Sequence, residues 1–172
     1  GSPLVLRGPR LELFRAPTDN DGIKLWDGQE HKPLGTWRRL GLAHLQQRSR
    51  LHRSRQSDNA FEFITRTEAS GRDRWSDAVA LERIAFNSNG EIRLEFDVRF
   101  GSADMIDLPR VGLSLRLPKE LRHVRWFGLG PAENYSDRCA GSVVGDFRST
   151  VEELFTPYIM PQENGHRCHV RW

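Results

Sequence analysis

The acidic side chains in the C-terminal part of this sequence are the residues best suited to catalysis. They are Glu133, Asp137, Glu152, Glu153 and Glu163. Hydrolysis of a glycosidic bond needs two carboxyl groups about 5 to 10 Å apart, one protonated and one ionised. No spacing among these residues marks such a pair, so the residues alone leave this chemistry open.

Residue types that bind metals occur in two patterns, and neither predicts a site. A calcium-loop frame begins at Asp19 and Asp21, but Ile23 and Lys24 stand where the frame needs an oxygen ligand and a glycine. In the run His166–His169, the first histidine and the cysteine point to one side of an extended chain and the last histidine to the other. We therefore expect no metal ion in this chain.

The segment Arg125–Arg138 combines a strand with a polar loop. Trp126 lies in its apolar first half, where Gly128 and Gly130 are predicted to take backbone conformations that a side chain would forbid. The second half is polar and contains Glu133, Asn134, Tyr135, Asp137 and Arg138. These groups suffice either to satisfy one another in a partly buried loop or to bind a sugar.

The elements around these segments are mainly strands. Apolar and charged residues alternate from Ile92 to Phe100, which predicts a strand with one apolar and one charged face, and the row Val111–Leu117 repeats the pattern. Asn87–Gly90 supplies a hairpin turn. Roughly eight to ten such strands predict an all-β fold, an antiparallel β-sandwich with one short helix.

The N-terminal part contains the helix and a long loop. Gly8-Pro9 is expected to separate short strands at Pro3–Arg7 and Arg10–Phe14, and a loop then continues from Ala16 to Leu34. Leucine and tryptophan at near-helical spacing predict a short helix in Thr36–Leu45, with Thr36 as its N-cap and Gly41 limiting its length.

Composition predicts a soluble domain, or part of a larger one, in 172 residues with 37% hydrophobic and 28% charged content. The sequence lacks an apolar run of about 18 residues and a basic-then-apolar leader, so we expect no membrane partner. Cys139 and Cys168 are too few for a disulfide framework, which indicates a cytoplasmic location and leaves a single bridge open.

Four arginines, Arg48, Arg50, Arg53 and Arg55, form the densest basic cluster. They are either a phosphate-binding stripe or the solvated face of a strand with an irregularity at Leu51-His52. No motif of a known nucleic-acid reader accompanies them, so we expect a solvated strand face and no nucleic-acid partner.

Five signatures, in order along the chain, resemble the C-terminal domain of the large bacterial β-galactosidases of glycoside hydrolase family 2. They are R-A-P-T-D-N-D-G from Arg15, Trp37 with Gly41-Leu42, P-R-V-G from Pro109, W-F-G-L-G-P-x-E-N-Y-x-D-R from Trp126, and T-P-Y-I-x-P-Q-E-N-G from Thr156. The resemblance covers essentially the whole chain. It implies a galactose-mutarotase-like β-supersandwich, of which residues 1–172 are the N-terminal portion.

The same resemblance implies that this chain is non-catalytic. The family's two catalytic Glu residues and its metal ligands lie on an upstream (β/α)8 barrel, so no catalytic residue is carried over. The whole enzyme is expected to use Mg²⁺ and a monovalent cation bound outside this chain, to hydrolyse β-galactosides, and to form a homo-oligomer. The partner of this chain is then the rest of the β-galactosidase.

The family places the loop that opens with R-A-P-T-D-N-D-G near the barrel's sugar pocket. Here the candidate residues are Asp19, Asn20, Asp21 and Gly22, within a loop from Arg15 to about Pro33. The alternative is that these side chains only brace the loop. We expect the other signature residues to be structural, with Gly165 at a positive φ: Arg15, Trp126, Glu133, Asn134, Tyr135, Asp137, Arg138, Glu163, Asn164 and Gly165.

A second function stays open at this point, a free-standing carbohydrate-binding or mutarotase-like module. A mutarotase needs a general acid and a general base in one cleft, usually His and Glu. His166 and Glu163 are near in sequence, but the sequence does not place them in a cleft.

Overall fold

The computed structural model describes residues 3–22 and 28–172. In these residues there are one α-helix, eight strands, and short 3-10 turns at Asp19–Asp21 and Leu42–His44. The bounds are β1 Arg7–Glu12, α1 Pro33–Arg39, β2 Gln46–Ser57, β3 Ala60–Ser70, β4 Ala78–Asn87, β5 Ile92–Phe100, β6 Gly112–Arg116, β7 His123–Gly130 and β8 Val143–Thr150. The predicted all-β class with one short helix is confirmed.

The chain forms two compact units. The first contains residues 3–10, 16–22 and 113–172, and the second contains residues 11–15 and 28–112. No helix in the described parts of the chain is long and apolar enough to cross a membrane.

The second unit is built on the antiparallel sheet β2-β3-β4-β5. Its β2–β3 register shifts between Leu51 and Arg53, so the predicted irregularity at Leu51-His52 is confirmed. Gly90 at φ +82 closes the predicted turn between β4 and β5, where its N–H donates to Asn87 O at 3.1 Å. Because strand side chains alternate, the register sorts them onto a charged face and an apolar face.

The core of this unit lies at one end of the apolar face. Ala69, Ala78 and Ala80 of the sheet are fully buried, and they belong to one cluster with Leu34 and Trp37 of α1. The small alanine side chains leave room for the indole ring, whose Nε1–H donates to the carbonyl of Asp107 at 3.0 Å. The rest of the cluster is Leu11, Leu13, Leu40, Leu42, Leu45 and Met105.

The other end of the apolar face is exposed. Ile92 is 48% exposed and Phe61 is 43% exposed, and Phe63 stacks on Phe86 with ring centroids 6.1 Å apart. In the first unit, Leu115 of β6 is also 47% exposed. Apolar rows at β5 and β6 are therefore partly uncovered.

The first unit contains the antiparallel pair β7–β8 and most of the pair β1–β6. Trp126 lies opposite Phe147, and their ring centroids are 5.4 Å apart. A Cβ on Gly130 would come within 2.7 Å of the Phe147 ring, and one on Gly128 within 2.8 Å of Val170 Cα. Neither glycine has a positive φ, so the prediction of special backbone conformations was wrong: close packing requires these glycines.

The N-terminal elements differ from the prediction in two places. A single strand, β1, runs through Gly8-Pro9, which is a cis peptide, instead of two strands separated by it. The helix begins at Pro33 with Lys32 as its N-cap, so the expected Thr36 cap was wrong and the loop is shorter than predicted. Proline at the first helical position has its φ already set for a helix. Gly41, at φ +64, follows the helix end and confirms its shortness.

Candidate functional site

Three of the signature segments meet in the first unit: residues 16–22, 133–138 and 156–165. The N–H of Ala16 donates to Glu163 Oε2 at 3.1 Å, across 147 positions of sequence. The N–H of Gly165 donates to Glu133 Oε2 at 2.8 Å. The third segment therefore contacts both of the others.

The Glu133 carboxylate is the main acceptor at this place, which we call the Glu133 site (Glu133, Arg138, Tyr158 and Gly165). Besides the Gly165 N–H, it accepts from Arg138 Nη2 at 2.8 Å and from the Tyr158 hydroxyl. The side chain is only 10% exposed. Burial raises the pKa of Glu133, but the bonds from Tyr158, Gly165 and Arg138 outweigh it and bring the pKa below its ordinary value. Glu133 is therefore held ionised.

Asn134, the next residue, is fully buried and makes a second connection. Its Oδ1 accepts from the Cys168 N–H at 2.7 Å, and its Nδ2 donates to Ala132 O at 3.1 Å. Its backbone N–H donates to the carbonyl of His166 at 2.9 Å, and the His166 ring stacks on Tyr135 with centroids 4.9 Å apart. These bonds fasten the polar loop to the segment that follows Gly165.

The loop at residues 18–22 is braced by its own side chains. Asp21 is buried, and its Oδ2 accepts from the Thr18 N–H at 2.7 Å and the Thr18 hydroxyl at 2.9 Å. Gly22 has φ +130, a region that a side chain disfavours. Asp19 and Asn20 are exposed. Asp21 therefore braces the loop, as the alternative interpretation predicts. The exposed side chains of Asp19 and Asn20 are available to a ligand. The rest of the predicted loop at residues 23–27 lies outside the described residues.

The remaining signature residues lie in different surroundings. Arg15, in the second unit, lies over the Trp37 ring at 5.1 Å. Trp126 is 5% exposed, and its indole N–H donates to Leu129 O at 3.1 Å. Asp137 is exposed. Asn164 Oδ1 accepts from the Thr156 N–H at 3.4 Å, and Gly165 has the predicted positive φ, at +76.

Two of the carboxylates considered for catalysis have lowered pKa values because they accept several hydrogen bonds. Besides Glu133, Glu153 Oε2 accepts from the Thr150 N–H at 3.0 Å and from the Ser149 hydroxyl at 2.9 Å. The Thr150 backbone bond, followed by the Ser149 hydroxyl, lowers the pKa of Glu153. A general acid needs a raised pKa instead, so neither residue is prepared to protonate a leaving group.

His166 and Cys168 lie side by side, with Nδ1 and Sγ 3.7 Å apart. His166 Nδ1 also lies 2.9 Å from the carbonyl oxygen of Asn134. Over residues 3–22 and 28–172, His, Cys, Asp and Glu side chains form no group of three or more that could hold a metal ion. The cysteines Cys139 and Cys168 are both free thiols.

Sequence reasoning missed the residue that completes the Glu133 site, Tyr158. Tyr158 lies within the signature that begins at Thr156, but its hydrogen bond to Glu133 joins residues 25 positions apart in sequence. Thr18 was also missed as the partner of Asp21, although a Thr three residues before an Asp is a recognisable capping pattern.

Comparison with known proteins gives a family and related enzymes. All of residues 1–172 match the family model described as β-galactosidase small chain. Three curated relatives, each named Beta-galactosidase, come from Vibrio cholerae, Psychromonas ingrahamii and Lactococcus lactis. They are 36%, 33% and 31% identical over 176, 179 and 174 residues. Each alignment covers 99% of this chain but only 17%, 16% and 17% of the relative.

Proposed function

Because the chain belongs to the β-galactosidase small-chain family, we propose that it is a non-catalytic domain of a β-galactosidase. The parent enzyme would hydrolyse terminal β-D-galactosides such as lactose. The observation that carries this proposal is the match over the whole chain to relatives of which it spans about a sixth. The other parts of such an enzyme are then the partner of this domain.

The carboxylates support the non-catalytic role. A glycosidase needs one carboxyl group that is protonated at working pH and a second that is ionised. Glu133 and Glu153 both have lowered pKa values because their oxygens accept several hydrogen bonds. Such groups stabilise loops, and the catalytic pair belongs to the barrel that the family resemblance implies.

The loop at residues 18–22 is the part of this chain proposed to serve the active site. Thr18 and Asp21 fix its backbone, so the exposed Asp19 and Asn20 are presented from a braced turn. Carboxylate and amide groups held in this way can hydrogen-bond sugar hydroxyls at a low entropic cost. The Glu133 site supports this loop indirectly, because its Gly165 lies two residues after Glu163, the acceptor of the Ala16 N–H.

The cofactors, location and partners of the parent enzyme are proposed on the same family membership. The Mg²⁺ and monovalent cation of a family 2 enzyme would be held outside this chain, whose described residues offer no cluster of three or more metal-ligating side chains of the His, Cys, Asp and Glu types. The parent would be a cytoplasmic homo-oligomer with no nucleic-acid or membrane partner.

Turnover of a chromogenic β-galactoside tests the proposal. We expect the parent enzyme to be active and the isolated 172-residue chain to be inactive at any concentration. Turnover that scales with the concentration of the isolated chain, and that is lost in Glu163→Gln or Glu133→Gln, would refute the non-catalytic role. Acceleration of galactose anomer interconversion by the isolated chain, followed by polarimetry, would instead support a mutarotase-like module.

A further inference from the structure

Arginines of β2 and β3 line an open cleft on the charged face of the four-stranded sheet. The cleft has a volume of about 430 Å³ and is lined by Arg48, Ser49, Arg50, Arg66 and Glu68. Its size is within the range of small-ligand sites. Three guanidinium groups and a single carboxylate give this cleft a local charge excess of two positive charges.

The strand register places two of these arginines directly opposite each other. Arg50 of β2 pairs with Arg66 of β3 in the antiparallel ladder. Directly opposite residues have Cβ atoms only about 4.5 to 5.5 Å apart, and like charges at such positions destabilise a sheet. Arg66 is 3.1 Å from Glu68, whereas Arg50 forms no ion pair within the described residues. Glu68 also bonds Arg48 and attracts Arg50 electrostatically, so one carboxylate serves three guanidinium groups and two positive charges remain uncompensated at this place.

The third arginine, whose side chain is 58% exposed, is oriented beside this pair by two contacts. Arg48 lies opposite Glu68, and its Nε–H donates to Glu68 Oε2 at 2.8 Å. Its guanidinium also lies over the Trp75 ring at 4.4 Å. Both contacts leave its terminal nitrogens without a hydrogen-bond partner among the described residues. A guanidinium that is oriented in advance can bind an oxyanion at a smaller entropic cost.

We propose that this cleft is a binding site for a small oxyanion, a phosphate, sulfate or carboxylate group. The anion lies between Arg50 and Arg66, removes their repulsion, and accepts hydrogen bonds from the terminal nitrogens of Arg48. The site is on the second unit and is independent of the proposed role in galactoside hydrolysis. It also gives the basic cluster a function that the sequence alone did not support.

Binding of inorganic phosphate to the full polypeptide that carries this chain tests the site. We expect saturable heat in titration calorimetry and a thermal midpoint that rises with phosphate at constant ionic strength. Arg50→Gln should weaken binding about tenfold or more, as expected when a charge-assisted hydrogen bond is lost. Without phosphate the same variant should unfold at an equal or higher temperature, because it removes a like-charge pair.

Arg93→Gln is the matched control. Arg93 is on β5 at the opposite edge of the same charged face, is 79% exposed, and pairs with Glu95 at 2.6 Å. Its variant should bind phosphate within about twofold of the parent chain, because it loses one positive charge without touching the cleft. An equal loss in both variants, or heat that never saturates, would show diffuse attraction to a basic surface and overturn the proposal. Separate arms with sulfate and acetate show which oxyanion is preferred, and hydrolytic activity enters none of these measurements.

Discussion

Removing the Glu133 carboxylate should destabilise the first unit more than removing any exposed acidic group. A hydrogen bond to a charged partner contributes about 1.5 to 3 kcal/mol. The Arg138 contribution is small, about 0 to 1 kcal/mol, because that side chain is 56% exposed. The bonds from Tyr158 and the Gly165 N–H carry the rest. We therefore expect Glu133→Ala, which loses both bonds, to cost about 3 to 6 kcal/mol and Glu133→Gln about 1 to 3 kcal/mol.

Two assays measure this loss. Thermal unfolding should shift by about 2 to 4 °C for each kcal/mol in a chain of this size. Amide exchange at Gly165 reports the site itself, because that N–H donates to the carboxylate that is removed. Glu152→Gln is the control, since Glu152 is 61% exposed and its contact with Arg122 is 3.4 Å long. The control should change neither measurement appreciably.

The pH dependence of unfolding independently tests whether the ionised Glu133 carboxylate stabilises the fold. The folded-state pKa of Glu133 lies below the ordinary 4.5, so its carboxylate stabilises the fold above pH 4.5. That contribution is lost as the pH falls through the folded-state pKa. The difference between Glu133→Gln and the parent chain should therefore be full at pH 7 and shrink in acid. Equal stability of Glu133→Gln and Glu152→Gln at pH 7, with unchanged Gly165 exchange, would refute the reasoning.

Three further predictions follow from the loop, the apolar face and the exposed rows. In the parent enzyme, Gly22→Ala should change kcat and KM several-fold and leave the melting temperature within a few degrees, since the strain of φ +130 for alanine is confined to one turn. A large stability loss with unaltered kinetics would instead make the loop a scaffold. Glu82 is buried and its pKa is raised by burial, against the bond from Thr67, so ionisation costs stability as the pH rises. Glu82→Gln should therefore raise the melting temperature at pH 8 more than at pH 5, and equal shifts at both would contradict this. The exposed apolar rows at β5 and β6 should make the isolated chain self-associate at micromolar concentration. Sedimentation velocity should show less association for Ile92→Lys, and a monomeric parent chain at all concentrations would contradict the prediction.

The strands were predictable where one local rule was enough. The alternation from Ile92 to Phe100 is a period-2 signal that predicts β5. The turn Asn87–Gly90 fixes the register between β4 and β5. The helix begins at Pro33, a residue favoured at the first helical position, so the Thr36 cap signal misplaced its start. Local signals therefore predicted which strands and helices form. Where two local signals disagreed, the predicted end of the element was wrong.

The candidate site could be predicted only as a set of segments. Glu133 is bonded by residues 25 and 32 positions away, and nothing in a single sequence fixes contacts across such separations. The packing role of Gly130 depends likewise on Phe147 of the paired strand. The repulsion between Arg50 and Arg66 also becomes visible only when the β2–β3 register is known.

Amide exchange of the parent enzyme with and without a non-hydrolysable thiogalactoside tests the central claim most directly. The N–H groups of Asp21 and Gly22, which donate to Thr18 O and Asp19 O at 3.1 and 3.3 Å, report whether a ligand meets the loop at residues 18–22. We predict that saturating ligand slows exchange at these two amides by about tenfold, or about 1.4 kcal/mol, and leaves the amides of β5 unchanged. Unchanged exchange at the loop, with the ligand bound and the enzyme inhibited, would contradict the claim that this domain contributes to the galactoside site.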